Sequence, residues 1–244
     1  YLSYFQGALE DWEAPDPRLA RHVVPQNRLR AYDIRRAIES IVDVGSILEL
    51  RPDHGVGVVT ALVRVEGAAY GLIANSSHHL GGAIDAEAAD KASDFLGLCE
   101  SFRLPVISLC DTPGFMVGPD AEKEATVRRF GRMFIVGAGL TVPVGMIILR
   151  KGYGLGAMAM AGGSCRAPQF TVAWPTGEIG GMGLEGAVRL GFRKELAEAD
   201  PDERQQLFDR LVDAAYQHGK ALRSATTFEL DDVIDPADSR AWIT

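Results

Sequence analysis

Cysteine is scarce in this chain. Cys99, Cys110 and Cys165 are its three thiols among 244 residues, too few and too scattered for a disulfide framework, and no C-x-x-C pair offers zinc an edge. A reducing compartment is therefore expected, cytoplasmic or, in a eukaryote, the mitochondrial matrix. Long apolar runs are missing as well. The richest stretch, 142–149, is broken at Pro143 and closed by Arg150-Lys151, well short of the ~20 residues that span a bilayer. The N-terminus lacks the basic, apolar, small-residue order of a signal peptide. Positive charge is in deficit, 25 Lys and Arg against 33 Asp and Glu for a net −8. That balance excludes nucleic acid as a partner, since phosphate binding rests on clustered Lys and Arg releasing counterions. What remains, 47% hydrophobic and 24% charged residues, is globular composition on a chain long enough to bury a core without staples.

Residues 1–30 are polar and punctuated by Pro15, Pro17 and Pro25, which predicts an extended arm or linker before a domain over 31–244. Asp33 can cap a short helix carrying Ile34, Ile38 and Ile41 on one side. Apolar runs at 46–50, 57–65 and 68–74 have strand length, the last two joined by a Glu66-Gly67 turn. Ala88, Ala92, Phe95, Cys99 and Phe102 then fall on one helical face. A buried strand at 105–110 stops sharply at Asp111-Thr112-Pro113-Gly114. A helix is expected over 121–138, a strand over 144–149 and another over 170–174, then a helix at 184–191. Asp200-Pro201-Asp202-Glu203 opens the longest helix with a cap, a proline and a reciprocal carboxylate. Its expected core stripe is Leu207, Leu211, Ala215, His218 and Leu222. Strands that are buried runs, alternating with helices, indicate a layered α/β fold.

Gly154-x-Gly156-x-x-Ala159 formally matches a permissive dinucleotide fingerprint, but several strands precede it and the next strand ends in Trp174-Pro175 rather than an acid. Small residues at 154, 156, 157 and 159 let main chain approach a neighbour, and a helix starting there aims unpaired N–H groups at an oxyanion. Close helix-to-sheet packing is the competing use. Asp111–Phe115 lies just past a buried strand, where α/β sheets often place clefts, though an ordinary turn would look the same. Glycines at 177, 180, 181, 183 and 186 interleave with Glu178, Met182 and Glu185. His78-His79 lacks an i+4 ligand and reads as an exposed loop pair; no metal is expected in this chain. His218 reads as a satisfied helix residue, Cys99 and Cys110 as inert packing. No G-x-S-x-G elbow occurs, so any chemistry here would rest on backbone donors.

Several of these segments stand in a familiar order: Ala74-Asn75, Lys91, Leu104-Pro105, Asp111-Thr112-Pro113-Gly114-Phe115, Thr141-Val142-Pro143, Arg150-Lys151-Gly152-Tyr153-Gly154, Ala173-Trp174-Pro175, Met182-Gly183-Leu184-Glu185-Gly186 and Asp232-Val233-Ile234-Asp235-Pro236. From about Pro25 onward the chain resembles the C-terminal half of the carboxyltransferase β subunit of biotin-dependent acyl-CoA carboxylases, the propionyl-/acetyl-CoA type. The Gly154–Met160 wording is most similar to the branch found in large single-chain carboxylases. The resemblance implies a crotonase-like β-β-α superhelix. It implies an enzyme that moves a carboxyl group from carboxybiotin, held on a carrier domain, to the α-carbon of an acyl-CoA, with this half supplying the biotin-side oxyanion hole. Carried over by position, the backbone donors fall on Gly156 and Ala157, or on Leu155 and Gly156 if no gap is allowed. The acyl-selecting position falls on Met158. The biotin side would be lined by Asn75, Pro113, Gly114, Phe115, Tyr153, Gly154, Trp174 and Pro175.

The implied partners are a biotin carboxyl carrier domain, a biotin carboxylase and the N-terminal carboxyltransferase half, within a homo-oligomer. Departures fall at Leu155, Ala157 and Met158 and in 134–139, which leaves the acyl group open. The isolated chain should supply half a site. A crotonase-like hydratase, isomerase or thioesterase with Glu178 as its acid-base group, and a non-catalytic assembly module, are the competing readings.

Overall fold

The computed structural model describes residues 11–123 and 125–244. Among the described residues eight strands form one sheet: β1 (Leu48–Leu50), β2 (Val58–Val65), β3 (Ala68–Asn75), β4 (Val106–Thr112), β5 (Val144–Tyr153), β6 (Phe170–Ala173), β7 (Glu178–Gly180) and β8 (Asp232–Val233). The order is β1-β2-β3-β4-β5-β6-β8, with β7 paired to the far end of β5. β1, β2 and β3 are antiparallel neighbours, and every pair from β3 onward is parallel. The Glu66-Gly67 turn has φ values of 53° and 78°, the backbone a two-residue hairpin needs to match strand twist.

Parallel strands demand crossovers, and these cover both faces of the sheet. On β4 and β5 alternate residues face opposite ways. Cys110, Met146 and Ile148 join a core with Phe95 and Cys99 of the helix Ala86–Ser101 and with Phe130 and Met133 of the helix Thr126–Ala138. Ile107, Leu109, Ile147 and Leu149 join a second core with Ile34, Ile38 and Ile41 of the helix Ile34–Ile41. Asp33 caps that helix by accepting from the Arg35 amide.

Four local expectations are corrected. Residues 1–10 of the lead lie outside the described residues. Of the rest, Pro17–His22 winds into a 3-10 helix, because Asp16 caps it and Pro17 fits its first turn, and Ala20 and Val24 are buried in the second core. The single helix over 121–138 is two, Pro119–Lys123 and Thr126–Ala138, separated by Ala125 at φ 54°. The long helix Pro201–Gly219 starts at Asp200 without a side-chain cap bond, since its first amides take the Asp200 carbonyl instead. Of the expected stripe, Leu207, Leu211 and Ala215 are half-buried, while His218 and Leu222, the latter beyond the helix, are exposed; the helix's fully buried residues are Val212 and Gly219. The helix packs against the 184–191 helix and β7, so a neighbour on one side, rather than the sheet beneath, selects the buried face. His79 is not a free loop residue: its Nε2 lies 2.6 Å from Asp85 Oδ2.

Candidate active site

The C-terminal ends of β4 and β5 carry the chemistry-bearing segments. β5 runs straight into the helix Gly154–Met160 with no intervening loop, which requires Gly154 at φ 55°. Only a residue without Cβ turns there cheaply, and a Cβ would also lie 2.6 Å from the Gly181 carbonyl oxygen. Two residues further, a Cβ at Gly156 would fall 2.7 Å from Gly114 Cα and 2.8 Å from its carbonyl carbon. The glycine turn is therefore pressed backbone-to-backbone onto the Asp111–Phe115 segment. Helical geometry leaves the first amides of the turn without a carbonyl one turn earlier. That group includes Leu155 and Gly156, whereas Ala157 stands where the ladder begins.

The Asp111–Phe115 segment is itself fixed. Ile84 N donates to the Gly114 carbonyl at 3.0 Å and Met116 N to the Ile84 carbonyl at 2.9 Å. Gly114 N donates to Thr112 Oγ1 at 3.1 Å. Phe115 stacks on Phe130 with centroids 4.2 Å apart, so its ring serves the first core as much as any cleft.

Beneath the turn lies a buried ion pair. Asp111 and Arg150 lie near the C-terminal ends of the adjacent strands β4 and β5, and their side chains are 0% and 3% exposed. Arg150 Nη2 donates to Asp111 Oδ2 at 2.9 Å, and its Nε reaches the same oxygen at 3.2 Å. Arg150 Nη1 donates to the carbonyls of Arg28 and Arg30 at 3.0 and 2.8 Å. Asp111 Oδ1 accepts from Lys151 N, and Asp111 N donates to Asn75 Oδ1, each at 3.1 Å. Every oxygen and nitrogen of the pair thus has work, the condition under which a buried ion pair is tolerated. Asn75 is fully buried, and its Nδ2 has no partner among the described residues.

Two cavities flank the turn. The smaller, ≈ 260 Å³, is lined by Pro113, Lys151, Tyr153, Glu178 and Glu185 among others. The larger, ≈ 650 Å³, takes Gly154, Ala157, Met158, Cys165 and Ile179. In the smaller one, Tyr153 Oη donates to Glu178 Oε2 at 2.7 Å. Burial raises the Glu178 carboxyl above its ordinary range, and the tyrosine bond opposes that rise. Burial lowers the Lys151 ammonium, and Asp111 opposes that fall. Replacing Tyr153 by Phe removes the opposing bond, so Glu178 should titrate at a still higher pH. A carboxyl-carbon NMR titration reads this directly, and an unchanged or lower midpoint would contradict the bond.

Of the residues expected along the biotin side, Pro113, Gly114, Tyr153 and Gly154 converge here with Gly156. Trp174 and Pro175 do not. Trp174 is 1% exposed in the second core with its Nε1 donating to Ser239 Oγ. Pro175 is exposed and borders a separate cavity of ≈ 460 Å³ with Ala20, Val24 and Pro236. The physical reason is register: Ala173 faces the first core and Trp174 the second. Arg150 and Lys151 stand in the sequence as the end of an apolar run and inside the Arg150–Gly154 segment of the resemblance, with no site role assigned to either. No local signal joins Asp111 to Arg150; they meet because β4 and β5 pair in parallel, Cys110 opposite Ile148 and Thr112 opposite Gly152. Among the described residues no group of three or more His, Cys, Asp or Glu could hold a metal ion, and no helix is long and apolar enough to cross a membrane.

Comparison with known proteins gives a consistent result. Residues 6–244 match the family model described as a carboxyl transferase domain. A solved structure of a single-chain, multi-domain long-chain acyl-CoA carboxylase aligns over 100% of this chain and 24% of its own, with TM-score 0.92 and 84% identity. The methylmalonyl-CoA carboxyltransferase 12S subunit of Propionibacterium freudenreichii is 36% identical over 91% of this chain and 42% of its own length. The biotin-dependent long-chain acyl-CoA carboxylase β4 subunit of Mycobacterium tuberculosis is 34% identical over 89% of this chain and 42% of its own. The chain thus spans less than half the length of these relatives.

Proposed function

Because this chain belongs to the carboxyl transferase domain family, we propose that it is the biotin-side half of the carboxyltransferase of a biotin-dependent acyl-CoA carboxylase, with a long-chain acyl-CoA as substrate. The fold is crotonase-like, as the resemblance implied. The long-chain assignment follows from the 84% identity to the long-chain enzyme and from apolar Met158 at the edge of the larger cavity.

The observation that carries the reading is the glycine turn. A ureido group offers a carbonyl oxygen and needs donors, and the turn provides amides at Leu155 and Gly156 that helix geometry leaves uncommitted. The close packing of Gly156 on Gly114 holds those amides in place before any ligand arrives. An unpartnered buried donor, Asn75 Nδ2, lies near Asp111 at the same strand ends. The residues present therefore fit biotin. When bound, carboxybiotin supplies the carboxyl group and afterwards a base for the α-proton. The protein's part is electrostatic. Donors aimed at a developing oxyanion contribute ~3 kcal/mol each, because they are oriented before the charge appears. Leu155 and Gly156 take this role rather than Gly156 and Ala157. Met158 shapes the acyl side, and Pro113, Gly114 and Tyr153 border the biotin side.

The partners follow from the same reading: a biotin carboxyl carrier domain, a biotin carboxylase and the N-terminal carboxyltransferase half, in a homo-oligomer. A hydratase would need Glu178 as a free acid-base group, and that carboxylate is already engaged by Tyr153. The test is carboxyl transfer from free carboxybiotin to long-chain acyl-CoA by the full-length protein. Carboxylated product is expected from the full-length enzyme and negligible product from the 244-residue chain alone. Absence of transfer to any acyl-CoA by the full-length enzyme overturns the assignment.

A further inference from the structure

We propose that Lys151 binds the transferable carboxylate of carboxybiotin, so that one ammonium in the smaller cleft selects the carboxylated form of the group over the bare one. The proposal rests on the carboxyltransferase reading and adds a residue to it. Lys151 follows Arg150 on β5 and precedes the glycine turn by three positions. Its side chain is 18% exposed and lines the cleft that Pro113, Tyr153 and Glu178 also line. Its Nζ donates to the Gly81 carbonyl and lies 3.7 Å from Asp111 Oδ1.

An ammonium has three donors. Gly81 takes one, and Asp111, beyond hydrogen-bond reach, supplies only field. That carboxylate is already held by the Arg150 fork and the Lys151 main-chain amide. The ammonium thus keeps donor capacity for a ligand that enters the cleft it lines.

The charges around the cleft pair off in a way that singles out this residue. Arg150 also lines the cleft, but its guanidinium nitrogens are engaged, Nε and Nη2 by Asp111 and Nη1 by the Arg28 and Arg30 carbonyls. Arg28 meets Glu185 at 3.1 Å, with its guanidinium 3.3 Å from the Tyr216 ring centroid. Lys151, which shares Asp111 with Arg150 as an ion pair at 3.7 Å without a hydrogen bond to it, and Glu178 remain, and Tyr153 holds the Glu178 carboxylate. A monoanionic carboxylate entering here finds one cation without a hydrogen-bonded acid. The attraction is strengthened because the site is partly withdrawn from water. Biotin without its carboxyl group offers that ammonium no anion, and its ureido oxygen is the acceptor assigned above to the Leu155 and Gly156 amides.

The experiment uses the full-length enzyme and the methyl esters of biotin and of N1-carboxybiotin, so that the valeryl carboxylate is removed from both. Lys151→Gln keeps a donor for the Gly81 carbonyl and deletes the charge; Lys151→Met keeps the aliphatic stem, and Lys151→Arg restores the charge. Equilibrium binding by calorimetry and transfer kinetics are both read. Lys151→Gln and Lys151→Met should weaken the carboxylated ester about 10–100-fold in Kd and KM, the size expected for a charge-assisted hydrogen bond. Affinity for biotin methyl ester and KM for acyl-CoA should stay unchanged, and Lys151→Arg should recover most of the loss. Equal weakening of both esters would reduce Lys151 to a brace for the Gly81 loop and overturn the proposal, as would an unchanged KM for the carboxylated ester. Wild-type enzyme that transfers no carboxyl group would instead remove the functional reading, and this proposal with it.

Discussion

Alanine at Gly156 should lower carboxyl transfer about 10²-fold or more while the enzyme still folds. The added Cβ would sit 2.7 Å from Gly114 Cα and 2.8 Å from its carbonyl carbon, closer than non-bonded carbons approach. Neither neighbour is a flexible side-chain end that could swing aside. The turn and the Asp111–Phe115 segment must part, and a displacement on the order of 1 Å at donors fixed for catalysis costs about 10² in rate. Overpacking of this kind costs about 1–3 kcal/mol of stability, or a few degrees in a domain of this size. The effect should therefore appear in kcat, with the melting temperature little changed. Steady-state kinetics beside a thermal melt separate the two, and unaltered turnover would remove Gly156 from the site.

The second large effect concerns stability. Asp111→Ala leaves the Arg150 guanidinium, 3% exposed, without its carboxylate. An uncompensated buried charge costs about 3–5 kcal/mol, which lowers the melting temperature by roughly 10 °C. Arg150→Met in the same chain should recover much of that loss, because the charge then disappears along with its partner. The carbonyls of Arg28 and Arg30, which accept from Arg150 Nη1, would still lose their donor, so recovery should be incomplete. Urea unfolding of the two variants against the parent gives the comparison. A single mutant as stable as the parent would show that the pair does not hold these strand ends.

Local periodicity exposed much of the fold. The helix Ala86–Ser101 and strands β2 to β5 were legible because burial on both sheet faces writes continuous apolar runs and burial on one helix face writes a 3.6-residue stripe. The helix Pro201–Gly219 misled for the converse reason: it is largely exposed, its neighbours bury Val212 and Gly219, and a weak stripe does not fix the angle at which a helix docks. Ala125 at φ 54° divides a helix that no glycine or proline marks.

The site was legible as far as it is made of glycine, since Gly154 and Gly156 announce close approach in the sequence itself. It was not legible where it depends on alignment of distant strands. Arg150 meets Asp111 across 39 residues, and Lys151 meets Gly81 across 70. Trp174 shows the limit of carrying roles by position. One step along β6 changes the face a side chain takes, and its indole belongs to the second core.

The most direct measurement is a structure of the full-length enzyme with biotin bound. The amide nitrogens of Leu155 and Gly156 should lie about 3 Å from the ureido oxygen, with Lys151 Nζ open toward the ring nitrogen that carries the carboxyl group. A ureido oxygen held by side chains, or left in water away from the Gly154–Met160 helix start, would contradict the account.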